Sequence, residues 1–368
     1  MKIVFSTDQI YLHGGIEKVL TEKANYFANL PNTEIFILTT EQKNNSPCYP
    51  LDKKIETIDL EIDYNRSRSY FSKVNLIKAF KHFRKQKAIL KKLKPDVLIS
   101  PNFNFDHYWL PFIKGKTKLI KERHSSRYKE EDLRKNAAFL SKIRLKFNDW
   151  IDSKYDTIVV LNKDEAGYVR TSNAVVIPNP VSRTELISPV DKKQVMAAGR
   201  IAPVKAFDEL IHIWAMIQDE FSDWQLHFFG DDYLNTQSKL EELIQKYRLE
   251  NQIKFKGSVS DLRQVMQDYS IYSMTSATEC FPMVLLESLS VGLPVVSYDC
   301  PNGPGNIIRD GEDGFLVENK NREAFVESLK FLMRNQELRK QMSVKAKENS
   351  KRFSFEVVMN DWKKLLKL

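Results

Sequence analysis

Two carboxylates eight residues apart, Glu279 and Glu287, bracket the opening of an apolar segment, and two cations five apart, Arg200 and Lys205, precede them. Glu279 lies in the turn-rich stretch Thr275-Ser-Ala-Thr-Glu-Cys-Phe-Pro, and Pro282 suits the first turn of a helix. A helix N-terminus offers unsatisfied N–H groups and the positive end of a dipole, which attract an anion. Carboxylates beside a phosphate repel it unless they bind hydroxyls instead. The combination points to a nucleotide-sugar. Arg200 and Lys205 flank a strand-to-helix turn and can present two cations to one point. A diphosphate gains charge as it leaves a sugar, and such cations stabilise that charge as an oxyanion hole does.

These side chains need strands and helices to hold them. Met283 to Val291 reads as a largely buried helix, ended by Gly292 and Pro294, with Val295-Val-Ser297 a short buried strand. Gln194 to Ala198 is a strand with Gly199-Arg200 at its end, and Lys205 opens a helix over Phe207 to Ile217. Trp224 to Phe229, Leu240 to Tyr247 and Ile253 to Gly257 continue the alternation, and Arg322 to Lys351 is helical. Upstream, Lys2 to Ser6, Ile35 to Thr39, Pro95 to Ser100, Lys118 to Glu122 and Thr157 to Leu161 read as strands. Gly14-Gly15 lies between the first strand and a helix through Phe27, where a backbone can approach a ligand closely. His124 follows a strand's C-terminal end, where ligands bind in open α/β sheets. The rhythm predicts a parallel sheet in each half. Asp59-Leu-Glu-Ile-Asp63 alternates and reads as a polar strand face, not a metal site.

Glu-x-Phe-Pro, the second Glu, Gly292-Leu-Pro-Val-Val-Ser, Gly303-Pro, Ile307-Ile, Asp310-Gly and Gly314-Phe-Leu-Val follow one another in order. This string, with Gly-Arg-x4-Lys at 199–205, resembles the Glu-x7-Glu signature of retaining glycosyltransferases of the GT-B fold, family GT4, also called glycosyltransferase group 1. It is tight over 190–320 and loose over 1–180. Cys280 and Ala206 stand where Gly is usual, and Asn306 where Glu is common. The resemblance implies an α/β GT-B architecture of two Rossmann-like parallel-sheet domains facing a central cleft. It makes 1–180 the acceptor domain and 190–352 the nucleotide-sugar domain, with the helix 353–368 packing back on the first. It places Arg200, Lys205, Glu279 and His124 in catalysis. It places Gly14, Gly15, Gly199, Val259, Phe281, Pro282, Met283, Val284 and Glu287 against substrate. Glu287 would bind ribose hydroxyls, and the segment Gly257-Ser-Val259 would edge the base.

A chain of 368 residues is long for one core, and no apolar run approaches the roughly 20 residues that cross a bilayer. Three cysteines, 48, 280 and 300, without a Cys-x-x-Cys spacing argue against a disulfide framework or structural zinc, and for the cytoplasm. The net charge of +9 is uneven: residues 1–180 carry 32 Lys and Arg against 21 Asp and Glu, the remainder 25 against 27. Asn65 to Lys94 is basic and helical in its second half, with Lys78, Lys81, Arg84, Lys85, Lys87, Lys91, Lys92 and Lys94 and no acid between Asp63 and Asp96. That pattern fits a lobe docking on an anionic membrane surface rather than nucleic acid. The expected enzyme is a retaining hexosyltransferase, peripheral at the cytoplasmic membrane face. It would use a UDP-linked donor and a glycan or lipid-linked glycan acceptor, with no cofactor and no metal. The rival readings are a GT-B nucleotide-sugar epimerase and a non-enzymatic membrane-surface scaffold.

Overall fold

The computed structural model describes residues 1–101, 104–136 and 138–368, and the chain divides into two units. The first comprises Met1–Ile177 and Trp362–Leu368, the second Pro178–Asp361. In the first unit the elements run β1 (Lys2–Thr7), α1 (Gly15–Ala28), β2 (Glu34–Thr39), β3 (Glu56–Asp59), α2 (Lys73–Leu93), β4 (Val97–Ser100), α3 (Leu110–Ile113) and β5 (Lys118–Arg123). They continue with α4 (Tyr128–Asn136), α5 (Phe139–Asp152), β6 (Thr157–Val160), α6 (Lys163–Gly167) and β7 (Ala174–Val176). The sheet is parallel with strand order β3-β2-β1-β4-β5-β6-β7. Ile3, Val4 and Phe5 are all buried, as expected of a strand covered on both faces.

The second unit runs β8 (Gln194–Ala198), α7 (Phe207–Ala215), β9 (Gln225–Phe229), α8 (Thr236–Tyr247), β10 (Ile253–Phe255), α9 (Leu262–Met266) and β11 (Ile271–Met274). Then come α10 (Met283–Ser290), β12 (Val295–Asp299), β13 (Gly314–Glu318), α11 (Arg322–Arg334), α12 (Gln336–Ser350) and α13 (Phe355–Leu366), the last belonging to the first unit from Trp362 on. Its parallel sheet has strand order β10-β9-β8-β11-β12-β13. Phe207, Leu210, Ile211 and Trp214 form the inward stripe of α7 and pack with Phe228 and Ile244 in one core. The helical stretch expected over 322–351 is divided at Asn335, whose side chain accepts from the Leu338 N–H and so starts a second helix.

Two expectations change. The alternating run 59–63 is not a strand face: β3 ends at Asp59, and Glu61 and Asp63 take left-handed backbone at φ +51° and +52°. Leu60 and Ile62 are buried, and their N–H groups donate to the Thr39 and Thr40 carbonyls. The basic run on α2 is not a uniform free surface either. Lys78, Lys81 and Lys85 donate to the carbonyls of Asp63, Glu61 and Leu60, so three of its cations fasten that irregular segment to the helix. No helix among the described residues is long and apolar enough to cross a membrane.

His82 on α2 is wholly buried, 3.0 Å from the Tyr64 hydroxyl, and burial pushes it down from 6.5 to about 3. Between those values the unfolded chain binds a proton that the folded chain refuses. Stability therefore falls with pH below about 6.5, by at most about 1.4 kcal/mol per pH unit for this one group. The unfolding midpoint of the first unit is expected to drop steadily from pH 7 to pH 4, and His82→Gln to flatten that slope. A slope unchanged by the substitution would show that other groups govern it.

Candidate active site

In the second unit β8 and β11 are neighbours in the sheet but not in the chain, so the loops leaving their C-terminal ends diverge at a switch point. The loop after β8 holds Gly199, Arg200 and a 3-10 turn over Pro203–Lys205. The loop after β11 carries Thr275 to Pro282. Hydrogen bonds tie them: the Ala277 N–H donates to the Val204 carbonyl at 2.8 Å, and the Thr275 hydroxyl to the Ala206 carbonyl at 2.8 Å and, more weakly, to the Lys205 carbonyl at 3.4 Å. As a result Lys205 Nζ stands 2.7 Å from Glu279 Oε1, with both side chains mostly covered. The lysine stem crosses Gly199, where a Cβ would lie 3.0 Å from Lys205 Cε and the φ of +147° favours glycine. On the far side, the loop after β12 closes on Glu279: a Cβ on Gly303 would lie 2.5 Å from Glu279 Cβ.

The structure thus brings Lys205 and Glu279 together. It gives Arg200 a different partner: the guanidinium lies over the Tyr233 ring, 4.9 Å from its centroid. The two cations expected to converge on one point thus each have a partner of their own in the structure. Pro282 is the N-cap of α10 rather than a residue inside it, and no side chain caps the helix end formed by Met283 and Val284. Glu287 is buried about one turn inside α10, and Phe281 packs edge-on to Phe353. Val259 is exposed in the loop after β10.

Tyr272 on β11 was not foreseen. Its hydroxyl donates to the Ala198 carbonyl at 3.0 Å and accepts from the Ala198 N–H, which fixes the backbone just before Gly199. Burial first, then the charges of Glu279 and Glu287, push this phenol above its usual value. Burial and the same Glu279 push the Cys300 thiol up to about 12, so Cys300 is an inert neighbour rather than a nucleophile.

In the first unit a cavity of about 490 Å³ opens at the C-terminal ends of β1 and β5. His124 lines it, with Nε2 3.2 Å from Glu122 Oε2. The same oxygen is 2.6 Å from Lys23 Nζ, both side chains being buried. Burial opposes ionisation of Glu122, but Lys23 and His124 outweigh it and bring the carboxyl down to about 2. Lys23 in turn lies 4.0 Å from the Trp362 ring centroid, so an indole face covers the buried ammonium. Sequence reading passed over this row. Its one local signal is a lysine among Val19, Leu20, Ala24 and Phe27, the buried face of α1.

Gly14 and Gly15 stand at the N-terminus of α1. There Glu17 folds back so closely that a Cβ on Gly14 would lie 2.3 Å from its Oε2. Gln9 donates to Glu17 Oε1 at 2.7 Å, and burial raises the carboxyl above its usual range. A diphosphate at this amide end would meet Glu17, which must then be protonated or turned away. Across the cavity Arg66 pairs with Asp8 and Glu41, and burial raises both carboxyls. Among the described residues no group of three or more His, Cys, Asp and Glu could hold a metal ion.

Residues 179–349 match the family described as Glycosyl transferases group 1. Over 99% of both chains this one is 26% identical to an uncharacterized glycosyltransferase of Haemophilus influenzae. It is 24% identical, again over 99% of both, to the amylovoran biosynthesis glycosyltransferase AmsD of Erwinia amylovora. A Staphylococcus aureus TarM variant solved with fondaparinux, alpha-GlcNAc-glycerol and UDP superposes with a TM-score of 0.76 at 16% identity, covering 99% of each chain. The fold is GT-B.

Ala206, where the sequence resemblance expects Gly, has a backbone conformation that favours glycine. Ala206 has φ +47° and ψ +47°, left-handed backbone that costs a residue with a Cβ about 1 kcal/mol or more. Ala206→Gly is expected to raise the stability of the second unit by roughly 0.5–1 kcal/mol, because glycine's greater freedom in the unfolded chain offsets part of the relief. Chemical denaturation checks it, and a destabilised variant would show that the Ala206 methyl packs usefully.

Proposed function

We propose that this chain, whose residues 179–349 match the group 1 glycosyl transferase family, moves a hexose from a UDP-linked donor to a glycan or lipid-linked glycan acceptor in cell-surface polysaccharide assembly, with retention at the anomeric carbon. The observation that carries this reading is the Lys205–Glu279 pair at the switch point, 2.7 Å apart and beside the uncapped end of α10. The names of AmsD and the UDP bound to TarM support the pathway and the nucleotide.

In this reading the donor lies on the second unit. Lys205 and the N–H groups of Met283 and Val284 hold the diphosphate, and Arg200 leaves Tyr233 to join them. Glu287 takes the ribose hydroxyls, and Val259 edges the base. Phe281, Pro282 and Gly199 shape the walls. Glu279 orients hydroxyls of the donor sugar and supports positive charge at its anomeric carbon. The anomeric bond to the diphosphate breaks, the acceptor oxygen bonds to that carbon on the same face, and the acceptor proton passes to the departing phosphate. Lys205 is then freed from Glu279 to balance the charge that develops. The first unit holds the acceptor in the cavity that His124 lines, with Gly14 and Gly15 at the α1 end as further acceptor contacts. The protein works peripherally at the cytoplasmic membrane face. No divalent metal is needed, because the cations and the helix end neutralise the leaving group.

A panel of nucleotide-sugars, scored for nucleotide release with and without a lipid-linked acceptor, tests the activity, and NMR of the product tests retention. Release that ignores every acceptor would favour an epimerase. Lys205→Ala is expected to lower turnover by roughly 10²-fold or more. Glu287→Ala should chiefly weaken UDP binding by calorimetry, whereas Glu279→Ala should chiefly lower kcat. Equal losses of affinity in both would remove that division of roles. Activity should also survive EDTA; loss on chelation and recovery with Mg²⁺ or Mn²⁺ would assign the charge-neutralising role to a metal.

A further inference from the structure

Helix α5 breaks the rule for a surface helix. Its inner face is Leu145, Ile151 and Asp152, all buried. Its outer face should be polar. Instead Phe139, Leu140, Ile143, Phe147 and Trp150 follow one another at helical spacing and are all exposed, Phe139 and Leu140 by 76% and 78%. Lys142, Arg144 and Lys146 are exposed between them. Three acids nearby are already paired: Glu130 and Asp149 with Arg134, and Glu131 with Arg134 and Arg170.

Ring contacts extend this stripe across the first unit. Phe147 stacks on Tyr108 and Trp150 meets Phe112, while Trp109 between them packs on Phe83 of α2. On α2 the exposed row Lys73, Ile77, Phe80, Arg84, Lys87 and Lys91 repeats the mixture, with Ile77 71% exposed. Exposed apolar side chains in such a continuous row mark an interaction surface.

We infer that α5 and the outer row of α2 form one docking face for an anionic lipid bilayer, with the α5 stripe seated among the acyl chains and the lysines at headgroup level. This deepens, and rests on, the membrane part of the function proposed above. The chemistry selects a bilayer over a protein. Lysine is depleted from protein interfaces, whereas lysine stems beside Phe, Leu and Trp suit a headgroup boundary, where the stem lies in apolar surroundings and the charge meets phosphate. It also moves the anchor from charge alone to α5, since Lys78, Lys81 and Lys85 are committed within the fold.

Flotation of the full chain with phosphatidylglycerol–phosphatidylcholine vesicles and with pure phosphatidylcholine tests this. We expect at least tenfold stronger partitioning to the charged vesicles. The triple variant Phe139→Ser, Leu140→Ser, Ile143→Ser should lose at least tenfold of it at any salt concentration. Lys142→Glu, Arg144→Glu, Lys146→Glu should lose as much at low salt. Lipid brominated in the chains should quench tryptophan fluorescence, and Trp150→Phe should remove most of that quenching while flotation persists. Equal binding to both vesicle types, unchanged binding of the serine variant, or self-association through α5 in sedimentation velocity would each overturn the inference. UDP calorimetry on the same variants keeps the two readings apart: bilayer binding without nucleotide binding sustains this docking face and rejects the enzyme, and the reverse rejects the face alone.

Discussion

A parallel sheet whose strand order reverses must leave a gap between the loops that follow the two central strands, and backbone polar groups in that gap need partners. In the second unit the gap is closed by the Ala277 N–H on the Val204 carbonyl and the Thr275 hydroxyl on the Ala206 carbonyl. Everything chemical there depends on this tie. It sets Lys205 against Glu279, and it forces Ala206 into left-handed backbone because the chain must turn at once from the 3-10 turn into α7. Tyr272 adds rigidity beneath by holding both polar groups of Ala198. The ion pair is therefore a product of loop geometry, and it holds the lysine in place before anything binds.

The first unit solves a similar problem with charge. A lysine as buried as Lys23 carries a desolvation cost of several kcal/mol unless it is paired and its remaining surface is covered. Glu122 provides the pair and Trp362 the cover. The C-terminal residues are thus bound to the first unit by a cation–π contact rather than by apolar packing alone. Glu122 uses one oxygen for both Lys23 and His124, so the imidazole's orientation depends on a contact that begins on α1 and ends on the last helix.

Most of the fold was legible in the sequence because parallel strands covered on both faces are short unbroken apolar runs, as in Lys2–Thr7 and Val295–Asp299. Where local pattern and tertiary context disagreed, context prevailed. Residues 59–63 alternate like a strand, but the carbonyls of Thr39 and Thr40 draw the chain out of the ladder. The break at Asn335 has no glycine or proline to announce it, only an asparagine three residues before a leucine amide. In the candidate site the residue types Arg200, Lys205, Glu279 and Glu287 stand out from the sequence. Their contacts do not. Spacing says that two cations can converge, yet Arg200 finds an aromatic ring and Lys205 a carboxylate. Lys23 and Glu122 are 99 residues apart, and nothing local in either predicts the other.

Net charge alone gives a misleading account of the first unit, because its two kinds of cation do different work. The arginines are largely consumed inside the fold: Arg66 holds Asp8 and Glu41, Arg123 holds Asp152, and Arg134 bridges Glu130, Glu131 and Asp149. A planar guanidinium with several donors suits that bridging. Lys87, Lys91, Lys92, Lys142 and Lys146 remain exposed, each a compact charge on a flexible stem. The excess that survives internal pairing is therefore mostly lysine, and it lies on the same two helices that expose Ile77, Phe80, Phe139 and Leu140. Neither feature alone defines a surface for lipid, since single exposed apolar residues and solvated lysines are ordinary. Their coincidence on α2 and α5, linked through Phe83, Trp109, Tyr108 and Phe147, is what distinguishes this face from a merely basic one.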